Sequence, residues 1–203
     1  MLRGKSITKF FDKWKSCKQS RKLSRFLNAS GYAAAFSFTD NTTVPTADSS
    51  GDRYIFNGDN LTLTVPDGVT LGSTATQAII NANTNSPVNP IVVVESGAVV
   101  TSSTNTIQGK ASENLIITNS GTISTNTTRA INLLNAQTAT ITNNSGGIIS
   151  SNTGNTINGD ETGTTDGNTI SNSGTIFSTD GIAIRFISGT TSTNITNNSW
   201  GII

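Results

Sequence analysis

The side chains that could do acid–base or metal chemistry are few in this sequence. Histidine is absent from all 203 residues, so the commonest general base and metal ligand is missing and no Ser–His or Cys–His pair can form. The densest acidic stretch, residues 158–167, contains Asp160, Glu161 and Asp166. Its oxygens could meet a calcium ion, but the spacing matches neither an EF-hand nor a glycine-rich calcium repeat. The stretch is more typical of a loop between strands, and we expect no metal, no cofactor and no catalysis.

The remaining candidates for chemistry are isolated. Asp180 and Arg185 are five positions apart and are interpreted as a salt bridge or as separate surface charges. The single cysteine, Cys17, cannot form a disulfide within the chain. Charged residues make up only 12% of the sequence, against about a quarter in an ordinary globular domain. Clues to the function must therefore come from the secondary structure that the rest of the sequence predicts.

Those elements repeat. The segment 141–149, Ile-Thr-Asn-Asn-Ser-Gly-Gly-Ile-Ile, returns at 195–203 with eight of nine residues identical. A shorter version, Asn-Ser-Gly-Thr-Ile, occurs at 119–123 and 172–176. Each repeat has a turn residue, usually glycine, and these turn residues are Gly68, Gly97, Gly121, Gly146, Gly174 and Trp200. A loose period of this kind is typical of a solenoid.

Each repeat contains up to three short apolar runs rich in Ile, Val and Thr, separated by Asn, Gly, Ser and Asp. Such runs are strands and such separators are turns. Three runs that recur one repeat later predict three parallel sheets. We therefore predict an all-β fold, a right-handed parallel β-helix of about six coils over residues 54–203; an irregular β-sandwich is the alternative. One interior column is predicted to contain Leu63, Val93, Ile117, Ile141, Ile170 and Ile195.

Pairs of threonines separated by one residue raise the possibility of an ice-binding ladder on such a helix. They occur at Thr62/Thr64, Thr74/Thr76, Thr104/Thr106 and Thr140/Thr142. A ladder needs a single flat face, and the pairs are assigned to different runs of their coils. The sequence therefore argues against ice binding.

The N-terminal segment has a different composition. Residues 1–25 contain nine of the 13 basic residues and one acid, Asp12, so the overall net charge of +1 says nothing useful about a nucleic-acid partner, and none is predicted. A weakly apolar stretch follows, with small residues at Ala33 and Ala35. These parts predict a secretory signal peptide over residues 1–38 with cleavage near Ala33 and Ala35. A basic amphipathic helix on a membrane surface and an unstructured tail are the alternatives. Residues 39–53 are interpreted as a polar linker.

The Asn-Ser-Gly-Thr-Ile repeats, the Asn, Thr and Ser turns and the basic N-terminus resemble the passenger domain of bacterial autotransporters, in the style of surface cell antigens and adhesins. The resemblance covers residues 54–203 and implies a right-handed β-helix displayed at the outer membrane or secreted through the periplasm. It implies a host-cell or neighbouring-cell surface as partner, and a C-terminal membrane barrel that this chain lacks. No stretch here is long enough to be a stable spanning helix.

Three functions stay open on the sequence alone. The first is a structural or adhesive passenger fragment, incomplete at its C-terminus. The second is a product of a truncated or split gene without independent function. The third is a polysaccharide-binding or polysaccharide-cleaving β-helix protein, for which the missing histidine and scattered carboxylates are unfavourable.

Overall fold

Three parallel sheets form the fold, as the computed structural model of the chain shows. It describes residues 35–45, 53–73, 77–81, 86–110, 112–134, 136, 138–159, 167–186 and 192–203. These residues lie within one compact unit, Ala33–Ile203, and contain strands but no helix. Every strand pairing among them is parallel, which confirms the predicted β-solenoid.

Sheet A has seven strands, with bounds Ala35–Phe38 (β1), Arg53–Phe56 (β3), Ile79–Asn81 (β6), Ile107–Gln108 (β9), Ile131–Asn132 (β12), Ile157–Asn158 (β15) and Ile184–Arg185 (β18). They pair in the order β1-β3-β6-β9-β12-β15-β18, so each strand lies beside the corresponding strand of the next coil. Sheet B also has seven strands and sheet C has five.

The strands of sheet B are Thr42–Thr43 (β2), Thr62–Val65 (β4), Ile91–Val94 (β7), Leu115–Asn119 (β10), Ala139–Asn143 (β13), Asn168–Asn172 (β16) and Thr193–Asn197 (β19). Those of sheet C are Thr70–Ser73 (β5), Val99–Ser102 (β8), Thr122–Thr125 (β11), Ile148–Ser151 (β14) and Thr175–Ser178 (β17). The chain passes from sheet B to sheet C to sheet A and back, and completes five such coils from β4 to β18. Partial coils lie at both ends, so the predicted six coils are close to the observed number.

The core consists of columns of apolar side chains, because alternate residues of each strand point inward and pair in register with the next coil. In sheet B the inward column is Leu63, Val92, Ile117, Ile141, Ile170 and Ile195. The columns of sheets A and C are equally regular, with Ile107, Ile131 and Ile157 in one and Val100, Ile123 and Ile149 in the other. These residues are almost fully buried, except Ile195, which is 44% exposed at the last level of the stack.

One member of the predicted column was wrong. Val93 pairs with Thr64 and Thr118 on the outward face of sheet B, while Val92 takes the inward position. The strand Ile91–Val94 is apolar at all four positions, so its sequence does not reveal which residues alternate inward.

The stack begins earlier than residue 54, the expected start of the coils. Strand β1 pairs with β3, and β2 pairs with β4, so both belong to the solenoid although they fall in the segments interpreted as signal peptide and linker. Aromatic side chains of β1 pack on those of β3. The ring centroids of Phe36 and Tyr54 are 5.4 Å apart and those of Phe38 and Phe56 are 4.6 Å apart.

Candidate functional site

The predicted cleavage residues lie at the start of the described structure. Ala33 is outside the described residues. Ala35 is the first residue of β1 and is exposed, with Arg53 opposite it in the register. The side chains that follow, Phe36 and Phe38, pack against the core, and Phe38 is 4% exposed. One of the two small residues of the predicted cleavage motif, Ala35, thus lies in the first described strand of the stack.

The candidates for chemistry that the structure describes do not assemble into a site. Asp160, Glu161 and Asp166 fall outside the described residues, so the interpretation of this stretch as a loop stays a prediction. Asp180 is exposed in the turn after β17, and Arg185 is a half-buried residue of β18. Among the residues that the structure describes, no three His, Cys, Asp or Glu side chains come close enough together to hold a metal ion.

A shallow recess of about 220 Å³ opens between neighbouring turns, lined by Thr128, Arg129, Gly154 and Asn155. Its lining contains one cation and no carboxylate, so it lacks the pair of acidic groups that glycoside hydrolysis requires. The recess offers hydrogen bonding to a ligand rather than acid–base chemistry.

The most ordered polar feature is a ladder of asparagines inside the B–C corner, which we call the asparagine ladder: Asn119, Asn143, Asn172 and Asn197. Each side-chain amide Nδ2 donates to the Oδ1 of the next asparagine at 2.8 Å. Asn119, Asn143 and Asn172 are fully buried. Stacked amides satisfy one another from coil to coil, which is how a polar group can occupy a core position at little cost.

Each internal amide of the ladder also binds the backbone of the turn. Asn143 Nδ2 donates to the carbonyl oxygens of Gly147 at 3.1 Å and Thr175 at 3.2 Å. Asn119 and Asn172 make the equivalent pairs of bonds. The asparagine therefore fixes the corner between sheets B and C in its own coil and in the coil above.

The sequence contains a signal for this ladder in the spacing of asparagine and isoleucine. Each asparagine follows an inward isoleucine by two positions, as Asn143 follows Ile141, and residues i and i+2 of a strand share a face. From the sequence, the asparagine of the Asn-Ser-Gly-Thr-Ile phrase is grouped with the turn residues, whereas in the structure it is the last buried residue of the strand.

The turns next to the ladder require glycine for close approach of the backbone. A Cβ on Gly174 would lie 2.6 Å from the carbonyl oxygen of Asn144 and would also meet that of Gly147. Gly146 has a different role, since its φ of +80° is the conformation that favours glycine and no atom lies near its Cβ direction. Gly147, not Gly146, is the residue in register with Gly121 and Gly174, so the turn residues taken from the sequence mixed two positions.

The outward face of sheet B is regular and rich in threonine, and we call it the threonine face. Its two in-register columns are Thr62, Ile91, Ile116, Thr140, Thr169 and Asn194, and Thr64, Val93, Thr118, Thr142, Ser171 and Thr196. The pairs Thr62/Thr64 and Thr140/Thr142 thus lie on one sheet, so the expectation that they occupy different runs was wrong. Thr106 is buried, and residues 74 and 76 are outside the described residues.

Large exposed apolar side chains lie toward the last coil. Trp200 is 87% exposed, Ile202 61%, Ile182 52% and Phe177 42%. Trp200 occupies the turn position that Gly146 has two coils earlier. Asn197 lies at the end of the described ladder, where its Nδ2 donates to the carbonyl of Gly201.

Comparison with known proteins yields no relative: no protein-family model, no curated protein and no solved structure matches this chain. The resemblance to autotransporter passengers therefore remains a prediction from the sequence. Within the described part of the chain, no helix has the length and apolar character needed to cross a membrane.

Proposed function

We propose that this chain is an exported β-solenoid that acts at the cell surface as a structural or adhesive module, without catalysis. The observation that carries the proposal is a parallel solenoid that follows the basic segment and its motif of small residues, which predicts cleavage near Ala33 and Ala35. Ala35 itself lies in strand β1, whose side chains Phe36 and Phe38 pack against the core.

Cleavage after Ala35 would leave the solenoid intact. Ala35 is exposed, whereas Phe36 and Phe38, which follow it in β1, pack on Tyr54 and Phe56. The released chain would begin with the strand that covers Tyr54 and Phe56. A basic export segment and a folded module would then meet at one peptide bond, and the aromatic contacts of β1 would survive processing.

The surfaces of the described residues support binding rather than chemistry. Seven strands stacked about 4.8 Å apart make a rod on the order of 30 Å long, whose outward faces expose mainly Thr, Ser, Val and Ile. Glu95, in a turn between sheets B and C, is held by the backbone of the neighbouring coil, since it accepts from the N–H of Asp67 at 3.1 Å. A rod of this kind presents turns to another surface, such as that of a host or neighbouring cell.

A reporter that is active only outside the bacterial cytoplasm tests the export step. Residues 1–53 fused to this reporter should give activity and a product cleaved between Ala35 and Phe36, as determined by N-terminal sequencing. Substituting Ala33→Leu or Ala35→Leu should block cleavage, because both positions must be small, while Ala34→Leu should be processed normally. An inactive, uncleaved fusion bound to the inner face of the membrane would refute export and favour the amphipathic-helix interpretation.

A further inference from the structure

The threonine face combines regular spacing with an absence of charge. All five strand pairings from β4 to β19 are parallel and unshifted, so each outward side chain stands directly over the corresponding side chain of the next coil. Spacings of about 4.8 Å between coils and about 6.6 Å along a strand follow from this geometry. The face is therefore a two-dimensional grid.

The grid is uncharged and rich in threonine, and β4 and β13 have threonine in both columns. Seven of its twelve side chains are threonine, three are isoleucine or valine, and the other two are Ser171 and Asn194. None of the twelve carries a charge. β-Branched side chains have restricted χ1 rotamers, so methyl and hydroxyl groups are held in repeated positions at low entropic cost. Charged residues near this face, such as Asp67 and Glu95, lie in the turns at the edge of the sheet.

A grid of fixed hydroxyl and methyl groups can order water. Hydroxyls hydrogen-bond water, while adjacent methyl groups restrict the orientations of the first water layer. The regular repeats of the grid would impose a regular arrangement on this first water layer, as a crystalline water surface requires. An ammonium or carboxylate would hold its own hydration shell and disturb such a layer, and the twelve positions of the grid contain neither.

The size of the face argues against a second copy of this chain as its occupant. Six strands by two columns cover about 29 Å by 13 Å, on the order of 400 Å², which is half of what each partner buries in a standard stable interface. The twelve grid positions also lack the aromatic and arginine anchors that dominate the binding energy of protein interfaces.

We propose that the threonine face binds ice. The ligand is the ordered water of the crystal surface, held by hydrogen bonds from the threonine hydroxyls and by water cages around the methyl groups. This activity is independent of the route by which the chain reaches the cell surface.

The test is thermal hysteresis and crystal shape in a nanolitre osmometer, with the purified 203-residue chain. We expect a gap between melting and freezing points and faceted crystals. The double variant Thr118→Lys/Thr142→Lys should lose the gap, because it places two ammonium groups at adjacent points of the grid. The matched control Ser124→Lys/Ser150→Lys, at in-register outward positions of sheet C, should keep it.

Circular dichroism confirms that each variant retains the strand content of the parent chain. If a lysine variant does not fold, Thr118→Val/Thr142→Val replaces it, and the hysteresis should fall because the hydroxyls are removed and the shape is kept. Rounded crystals with no freezing gap in the parent chain would overturn the proposal. Equal loss of the freezing gap in the sheet B and sheet C variants would also overturn it. So would a parent chain that forms dimers in sedimentation and loses its freezing gap when the dimers dissociate.

Discussion

Interrupting the asparagine ladder in its middle should cost more stability than removing its first member. The comparison is Asn143→Val with Asn119→Val. Valine fits this column, since Val65 and Val94 occupy it in the two preceding coils. Both variants gain the same apolar group, so the difference between them isolates the hydrogen bonds.

The difference can be counted from the structure. Asn143→Val removes one hydrogen bond accepted from Asn119 and the contacts of Nδ2 with three acceptors, which share its two hydrogens. Asn119→Val removes only the three contacts of its own Nδ2, shared in the same way. Asn119 Oδ1 is buried and has no partner, so its removal eliminates one unsatisfied acceptor while it orphans Asn143 Oδ1. Asn143→Val instead leaves Asn119 Oδ1 without a partner and also removes the donor to Asn172 Oδ1, which becomes a second unsatisfied acceptor.

The interruption therefore loses one more bond, worth about 1 kcal/mol, and buries one more unsatisfied acceptor, at about 1–3 kcal/mol. We expect Asn143→Val to be less stable than Asn119→Val by about 2–4 kcal/mol, or roughly 5–15 °C in Tm for a domain of this size. Urea unfolding followed by circular dichroism measures the difference. Equal stabilities, or a less stable Asn119→Val, would show that the amide-to-amide bonds do not hold the corner.

Two further substitutions test the core and the turns. Ile141→Asp should lower the free energy of unfolding by several kcal/mol, because this side chain is fully buried between apolar layers. Thr142→Asp, at the neighbouring outward position, should lower it by well under about 1 kcal/mol. A similar Tm for both variants would contradict the assignment of inward and outward faces. Gly174→Ala should destabilise the fold by about 3 kcal/mol, because the added Cβ meets backbone carbonyls of the preceding coil. Gly146→Ala should destabilise it by only about 1 kcal/mol, because the cost there comes from the positive φ alone. The reverse order of stabilities in urea unfolding would refute these two roles.

The periodicity of the sequence was sufficient to predict the architecture. Short runs such as Thr169–Ile170 and Ile202 form a strand or bridge in the sheet assigned to them, because the inward isoleucines recur in the same order of turns. The alternation of polar and apolar residues also predicted which side chains point inward, in strands where polar residues separate the apolar ones. It failed at Ile91–Val94, where no polar residue marks the outward side.

The N-terminal boundary and the polar corner were not predicted. Strand β2 is two residues long, too short for a pattern, and β1 is recognisable only through the stacking of its aromatic rings on Tyr54 and Phe56. The asparagines were missed because turn chemistry and burial compete at the end of a strand. Asn143 can be buried because its amide bonds to Asn119 and Asn172 in the neighbouring coils. The sequence of one turn does not show these partners.

The close register between coils constrains how such a gene can change. The phrase Asn-Ser-Gly-Thr-Ile at 119–123 recurs at 172–176, two coils further along the solenoid, and both copies use the short turn between sheets B and C. Recombination between the two copies would delete whole coils and rejoin Asn119 to the turn that follows Asn172, with every column still in line. Length variants of this chain should therefore differ by complete coils, and the ladder should shorten or lengthen by the same number of asparagines.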